Sequence, residues 1–118
     1  AFQIVDDALD FAPQSVTGKP SGGDVREGKL TPPLRMYRDS LDDAARAAFD
    51  QAFNDASFTD SDAERIADSI RAAGFDQATR MAAEGYLDKA RAALASLPSG
   101  PEQDILQQMA DYVRDRKK

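Results

Sequence analysis

Apolar residues recur at intervals of three and four along most of this 118-residue sequence, and no stretch alternates between apolar and polar residues with a period of two. Intervals of three and four place apolar side chains on one face of an α-helix, whereas a period of two would indicate a β-strand. The pattern therefore predicts an all-α fold. A chain of this length can bury one modest helical core.

Turn residues divide the first third of the sequence. Residues 1–11 are predicted to form a helix, and residues 12–29 a loop, because the latter contain four Gly and two Pro. Thr31-Pro32-Pro33 predicts the start of the next helix, since Thr can cap a helix and Pro is tolerated in its first turn. Another helix is expected to begin at Ser40 or Asp42.

Capping patterns mark the remaining helices. Residues 61–64 and residues 99–102 each match a capping box, and Gly74 is expected to end the helix that begins at the first of them. A long helix is predicted from Phe75 to Pro98. The core-facing residues predicted on the last two helices are Ala78, Ala82, Tyr86, Ala90, Leu94 and Leu97, followed by Ile105, Leu106, Met109, Tyr112 and Val113.

Three carboxylates are concentrated in the first predicted helix. Asp6 and Asp10 lie one turn apart on one face, with Asp7 beside them, and two apolar rows occupy the rest of the helix. Like charges at this spacing are unfavourable, and a divalent cation would relieve them, directly or through water. The two apolar rows favour a buried helix whose acids face a polar cavity. A solvated acidic face is the simpler alternative.

The predicted loop that follows combines glycines with lysines in the segments Gly18-Lys19-Pro20, Gly22-Gly23-Asp24 and Glu27-Gly28-Lys29. Glycine lets the backbone approach an anion closely, and lysine binds phosphate as a point charge. A carboxylate helix next to such a loop can assemble a metal-bridged diphosphate site. The loop alone is also compatible with a merely flexible connection, because P-loop spacing is absent.

Composition excludes several other kinds of site. The sequence contains no Cys and no His, which excludes disulfides, zinc sites built from these residues and imidazole bases. The formal net charge of −6 argues against a nucleic-acid partner, and no apolar run is long enough for a membrane span. The acidic stretch 55–64 lacks the Gly and Glu spacing of a calcium-binding EF-hand loop. We expect a cytoplasmic location.

Residues 2–34 carry a more specific pattern. Phe-Gln, two residues and Asp-Asp-x-x-Asp are followed by Gly-Lys-Pro-x-Gly-x-Asp, Glu-Gly-Lys-x-Thr and a Pro-Leu helix start. This run resembles the second aspartate-rich region of the trans-isoprenyl diphosphate synthases, most of all the long-chain octaprenyl and other polyprenyl diphosphate synthases. The rest of the chain is similar to the C-terminal end of that family in character, through Leu97-Pro98 and a basic last helix.

The resemblance implies the helical isoprenoid synthase fold and prenyltransfer between an allylic diphosphate and isopentenyl diphosphate, with Mg²⁺ as cofactor. Diphosphate leaves the allylic substrate, isopentenyl diphosphate attacks the resulting cation, and a proton is lost. The residues implied in metal binding are Asp6 as a direct ligand, with Asp7 and Asp10 through water. Diphosphate binding is implied for Lys19 and Lys29, with Gln3 and Asp24 in support and Thr31 as an additional candidate. Catalytic contributions are implied for Asp6, Asp7 and Lys19.

Within that family, residues 1–118 would correspond to the C-terminal portion of a single polyprenyl synthase domain. The first aspartate-rich motif and the N-terminal helices would lie upstream, so we expect this chain to be inactive alone. The apolar residues Phe2, Ile4, Val5, Leu9 and Phe11 cannot then all be covered by the remaining helices, which predicts a homodimer or self-association. Two alternatives remain open: a non-catalytic helical subunit or assembly module of the same ancestry, and a relative of the terpene cyclases.

Overall fold

The computed structural model describes residues 1–117, and every regular element in that range is an α-helix, which confirms the all-α prediction. The described residues form eight helices in an elongated body of 55 × 29 × 23 Å. The helices are α1 (Phe2–Leu9), α2 (Gln14–Thr17), α3 (Gly23–Glu27), α4 (Pro32–Ser40), α5 (Asp43–Asn54), α6 (Asp60–Ala73), α7 (Phe75–Ala95) and α8 (Pro101–Asp115).

The prediction of an unbroken loop over residues 12–29 was wrong, because α2 and α3 lie within it. Both are only one turn long. Gly18, Gly22 and Gly28 flank them with φ angles of 75°, 80° and 71°, which is left-handed backbone that glycine adopts without steric cost. Gly18 therefore ends α2, Gly22 precedes α3 and Gly28 ends it.

The apolar core consists of two clusters. The larger one joins the loop region to α4, α5 and α6, and its buried members are Phe11, Val25, Leu34, Phe49, Ala63, Ile66, Ala67 and Ile70. The smaller one joins α1 to α7 through Val5, Leu9 and Ala83. On α6, Ile66, Ala67 and Ile70 recur at helical spacing and are buried, whereas Ala73 at the end of the helix is exposed.

Helix α1 lies at the centre of the packing, in contact with α4, α7 and α8. Val5, Leu9 and Phe11 are buried whereas Phe2 and Ile4 are not fully covered, so the expectation that these apolar residues cannot all be covered is confirmed. Phe2 alone among the large apolar residues of α1 is exposed, with 51% of its surface accessible, and Ile4 is half-buried. The downstream helices therefore cover most of the carboxylate helix.

The predicted inner faces of the last two helices were also wrong. On α7 the buried residues are Thr79, Ala83 and Leu87, one position beyond the predicted row. Alanine occupies most faces of α7, so its apolar pattern is compatible with more than one orientation. On α8 only Ala110 is buried, and Val113 is half-buried. The residues expected inside but found exposed on α8 are Ile105, Leu106, Met109 and Tyr112.

The capping boxes differ from those predicted. Helix α6 is capped by Thr59, whose hydroxyl accepts from the Asp62 N–H while the Asp62 carboxylate accepts from the Thr59 N–H. The predicted cap, Ser61, lies inside the helix. Helix α8 follows Gly100 with no side-chain cap, so the second predicted box is absent as well. Gly74 ends α6 as expected, at a φ of 75°.

Charged side chains join neighbouring helices. Arg38 of α4 donates two hydrogen bonds, of 2.6 and 2.7 Å, to the carboxylate of Asp50 on α5. This bidentate pair holds the pKa of Asp50 below its ordinary value, because the hydrogen bonds favour the charged form. Arg91 of α7 pairs with Asp111 of α8. Among residues 1–117, none of the helices has the length and apolarity needed to cross a membrane.

Candidate functional site

A cavity of about 470 Å³ lies where α1, the loop with α2 and α3, and the end of α8 meet. Its charged lining consists of Asp6, Asp10, Asp24, Glu27, Lys19, Arg26 and Arg116. Four of the residues predicted from the sequence, Asp6, Asp10, Lys19 and Asp24, are therefore brought together around one space.

Asp6 is the acid of α1 that pairs with a residue from the other end of the chain. Its Oδ1 lies 3.1 Å from Nη2 of Arg116. The guanidinium of Arg116 also lies over the ring of Phe2, 4.4 Å from its centroid, and its carbonyl accepts a 2.7 Å hydrogen bond from Arg80 of α7. Arg80 thus holds the residue after α8 against the start of α1.

Asp10 orders the loop. Its Oδ2 accepts a 3.0 Å hydrogen bond from the N–H of Asp24, which satisfies an amide in the first turn of α3. Its own carbonyl accepts a 2.9 Å bond from the N–H of Gly22. A Cβ on Gly23 would lie only 3.0 Å from Asp10 Oδ1, so glycine permits this close approach. Burial raises the pKa of the Asp10 carboxyl.

Asp24 faces Asp10 across the same contact. Burial and then the charge of Asp10 raise the pKa of Asp24 to about 6, and Lys29 acts in the opposite direction. Burial is the first cause of both shifts, and the cavity lining holds four carboxylates against three cations. A bound cation would offset this excess of negative charge.

The other predicted residues form a second group, outside the cavity lining. Asp7 is 93% buried within the helix packing, where its Oδ1 accepts a 2.8 Å hydrogen bond from Nε2 of Gln3 and lies 3.8 Å from Nζ of Lys29. Lys29 is linked to the cavity through its N–H, which donates to the Asp24 carbonyl over 2.9 Å. Thr31 precedes α4, and its buried hydroxyl has no hydrogen-bond partner among the described residues.

The donor chemistry fits a hard divalent cation. Asp6, Asp10 and Asp24 offer carboxylate oxygens to the cavity, which is the donor type that Mg²⁺ and Ca²⁺ prefer. Within residues 1–117 no three acidic side chains converge closely enough to hold a metal by themselves. Such an arrangement is compatible with Mg²⁺, which commonly binds one or two carboxylates and completes its coordination shell with water and phosphate oxygens.

Sequence reasoning missed two cations of the cavity, Arg26 and Arg116. Arg26 stands between the glycines of the loop and pairs with Asp60 of α6 at 3.8 Å. Arg116 belongs to the basic end of the chain, whose charges also suit a helix C-terminus. Nothing in the local pattern connects Arg116 with Asp6, which lies 110 positions earlier in the sequence.

Residues 1–70 match the protein family described as Polyprenyl synthetase. A crystal structure of a decaprenyl diphosphate synthase from Rhodobacter capsulatus is similar to this fold with a TM-score of 0.84 and 41% sequence identity, over 99% of this chain and 36% of that chain. A polyprenyl synthase from Caulobacter crescentus CB15, crystallised with calcium and isoprenyl diphosphate, gives a TM-score of 0.82 and 34% identity over the same shares.

Among the sequence relatives, the octaprenyl diphosphate synthase of Escherichia coli (strain K12) is 37% identical over 123 residues, which are 98% of this chain and 36% of that protein. The chain spans about a third of the length of the relatives that it matches. The similarity extends through α7 and α8, beyond the residues that match the family pattern.

Proposed function

The chain belongs to the polyprenyl synthetase family, and we propose that it contributes one side of the active site of a polyprenyl diphosphate synthase. The observation that carries this proposal is the shared cavity, in which Asp6, Asp10 and Asp24 face Lys19. Carboxylates for a metal and a lysine for phosphate are the two components that a metal–diphosphate site requires.

The proposed reaction joins an allylic diphosphate to isopentenyl diphosphate. The allylic C–O bond breaks and diphosphate leaves with the bonding electrons. The double bond of isopentenyl diphosphate then forms the new C–C bond to the allylic carbon, and a proton is lost. Mg²⁺, when bound, supplies positive charge that stabilises the leaving diphosphate. The residues of this chain provide binding and orientation for that step.

Each predicted residue has a distinct part in the proposed site. Asp6 would bind the metal, and its exposed carboxylate, with 47% of the side chain accessible, supports that role. Asp10 would act through water while it holds α3 in place. Lys19 would bind the diphosphate from the loop, at the same cavity. These roles place charge around the leaving group without a covalent step by the protein.

The second group would support the diphosphate from behind the cavity. Lys29 keeps 53% of its side chain exposed while it lies near Asp7, which leaves it able to turn toward a phosphate. Gln3 and Asp7 would hold the inner side of α1 through their hydrogen bond. Catalytic participation of Asp7 would then be indirect, through the orientation of α1.

Location and assembly complete the proposal. The cytoplasmic location and the homodimer or self-association expected from the sequence both stay predictions. Exposed apolar side chains on α8, with Met109 59% and Tyr112 68% accessible, support association with further protein surface.

Calorimetric titration of the 118-residue chain with inorganic pyrophosphate, with and without MgCl₂, tests the proposed site. We expect binding that requires Mg²⁺ and that weakens about tenfold in Asp6→Asn and in Lys19→Gln, the loss of one charge-assisted contact. Matched controls are Asp104→Asn on α8 and Lys89→Gln on α7, which do not line the cavity and should leave binding unchanged.

Pyrophosphate binding that is independent of Mg²⁺, or equally strong in the Asp6 and control variants, would contradict the proposed site. A chain that binds no pyrophosphate at all would instead favour the non-catalytic helical subunit.

A further inference from the structure

Residues 10–12, which directly follow α1, have three consecutive backbone carbonyls that accept hydrogen bonds from outside the helix. The carbonyl of Asp10 accepts from the N–H of Gly22 at 2.9 Å, and that of Ala12 accepts from the hydroxyl of Ser21 at 2.6 Å. The carbonyl between them, that of Phe11, accepts a 2.5 Å hydrogen bond from Nη1 of Arg71. The loop and one arginine therefore satisfy the backbone carbonyls of the segment that leaves α1.

Arg71 comes from α6, 60 residues further along the chain, and lies outside residues 1–70 that match the family pattern. The same Nη1 also lies 3.4 Å from the hydroxyl oxygen of Ser21. Its Nη2 pairs with Asp68 on the solvent side of α6. One guanidinium therefore contacts both the residue that leaves the carboxylate helix, Phe11, and the loop that carries Lys19.

The position of Arg71 suits this contact with Phe11 and Ser21. Its positive charge lies at the carbonyl of Phe11, two residues beyond the C-terminal end of α1, on the side where the helix dipole favours a cation. Its side chain is 26% exposed, so the hydrogen bonds are partly shielded from water. The planar guanidinium fork of arginine presents its donors in a fixed geometry toward several acceptors at once, whereas the ammonium of lysine is a compact point charge with freely rotating donors.

The loop is fixed to α6 next to this contact. A Cβ on Gly22 would lie 2.8 Å from the carbonyl oxygen of Ala63, so the backbone of the loop touches α6 directly. Arg71 and the close approach of Gly22 thus connect α6 to the loop, and the loop in turn contacts the end of α1 through Asp10. Asp10 accepts hydrogen bonds from the Gly22 and Asp24 amides, and its side chain reaches the cavity.

We propose that Arg71 is a positioning residue of the metal–diphosphate site, which sets the separation between the carboxylates of α1 and the Gly/Lys loop. This inference rests on the proposed function for its consequence in binding. The geometric part, that Arg71 orders the contact between Asp10 and the loop, stands by itself and can be measured without any ligand.

Amide hydrogen exchange measured by NMR on the ligand-free 118-residue chain tests the geometric part. In Arg71→Met we expect the Gly22 and Asp24 amides to exchange about tenfold faster, because the charge-assisted hydrogen bond from Arg71 to the carbonyl of Phe11 is lost. Amides in the core of α6, such as that of Ile66, should keep their protection. Arg71→Lys should recover part of the effect, since it retains the charge but not the fork.

Arg65→Met is the matched control on the same helix. Arg65 is 62% exposed and pairs only locally with Asp62 at 3.6 Å, so its removal should leave the Gly22 and Asp24 amides unchanged. Equal acceleration by Arg65→Met, or unchanged exchange in Arg71→Met, would overturn the proposal. Uniform acceleration that includes the α6 amides in both Arg71 variants would assign Arg71 to general stability and overturn it too.

The binding consequence is measured separately with MgCl₂ and pyrophosphate. We expect affinity to fall about tenfold in Arg71→Met and to be unchanged in Arg65→Met. Faster exchange combined with unchanged pyrophosphate affinity would overturn the positioning role. A parent chain that binds no pyrophosphate would count against the proposed function, while the exchange result would still decide whether Arg71 orders the loop.

Discussion

Nη2 of Arg116 lies 3.1 Å from Oδ1 of Asp6, so the acid predicted to bind a metal directly is ion-paired with the residue that follows α8. A metal that binds Asp6 must compete with this guanidinium. The pair also links the two ends of the described chain at the edge of the cavity.

We predict that Arg116→Gln raises the affinity of the chain for Mn²⁺, used as a spectroscopic probe of the cation site, by about threefold. That factor corresponds to the loss of one partly exposed ion pair. Electron paramagnetic resonance titration measures free Mn²⁺ directly. Arg26→Gln is the control, because Arg26 also lines the cavity but pairs with Asp60. Equal gains in Mn²⁺ affinity in both variants would show that the lower positive charge of the cavity, and not the loss of the pair with Asp6, causes the effect.

The loop is predicted to tolerate alanine at one left-handed glycine better than at another. Gly18 and Gly22 have φ angles of 75° and 80°, so alanine at either position should cost about 1–2 kcal/mol of unfolding free energy. At Gly22 the added Cβ would also lie 2.8 Å from the Ala63 carbonyl oxygen, while at Gly18 it meets nothing within 4 Å. Urea unfolding should therefore give a distinctly larger loss for Gly22→Ala, and equal losses would contradict the close approach.

The cap of α6 gives a third prediction. Thr59→Ala removes the hydroxyl that accepts from the Asp62 amide, and we expect a loss of about 1 kcal/mol in unfolding free energy. Ser61→Ala, at the position expected from the sequence to be the cap, should change stability by less than about 0.5 kcal/mol. Thermal or urea unfolding of the two variants distinguishes the caps, and the reverse order would refute the Thr59 box.

The bidentate pair between Arg38 and Asp50 gives a pH-dependent prediction. The pKa of Asp50 is lower in the folded chain than its ordinary value of 3.8, so the charged carboxylate favours the folded state. This contribution is complete above pH 3.8 and is lost as the pH falls through the lower, folded-state pKa.

Urea midpoints measured between pH 7 and pH 2.5 test this. Asp50→Asn should be less stable than the parent at pH 7, and the difference should shrink at the acidic end. Asp55→Asn, at the exposed end of the same helix, is the control and should not lose stability relative to the parent at pH 7. A pH-independent difference for Asp50→Asn would contradict the role of its charge.

Much of the fold was predictable because the helices are marked by strong local signals. Gly74 stops α6, and Ile66 and Ile70 mark its inner face unambiguously. The orientation of α7 was not predictable, since alanines surround Ala83 on most sides and give no single apolar face. The choice of Thr59 over Ser61 as a cap was also undetermined locally, because the pattern of Thr59 with Asp62 overlaps that of Ser61 with Glu64.

For the site, the grouping of Asp6, Asp10 and Lys19 followed from spacing and from the family resemblance. The separation of Asp7 from this group was not predictable, because a helix turns by about 100° between Asp6 and Asp7 and only the packing partners determine which of the two is buried. Arg71 and Arg116 were beyond sequence reasoning, because their contacts with Phe11 and Asp6 arise from tertiary structure across 60 and 110 positions.

The limited packing of α5 on the rest of the fold predicts where the chain unfolds locally. Phe49 is its one buried residue among those described, and the helix packs mainly on α4. An element held by so few contacts can detach at a lower free energy than the whole domain. Limited proteolysis under native conditions should therefore nick the chain around α5 first, and the two fragments, which together line the carboxylate cavity, should remain associated.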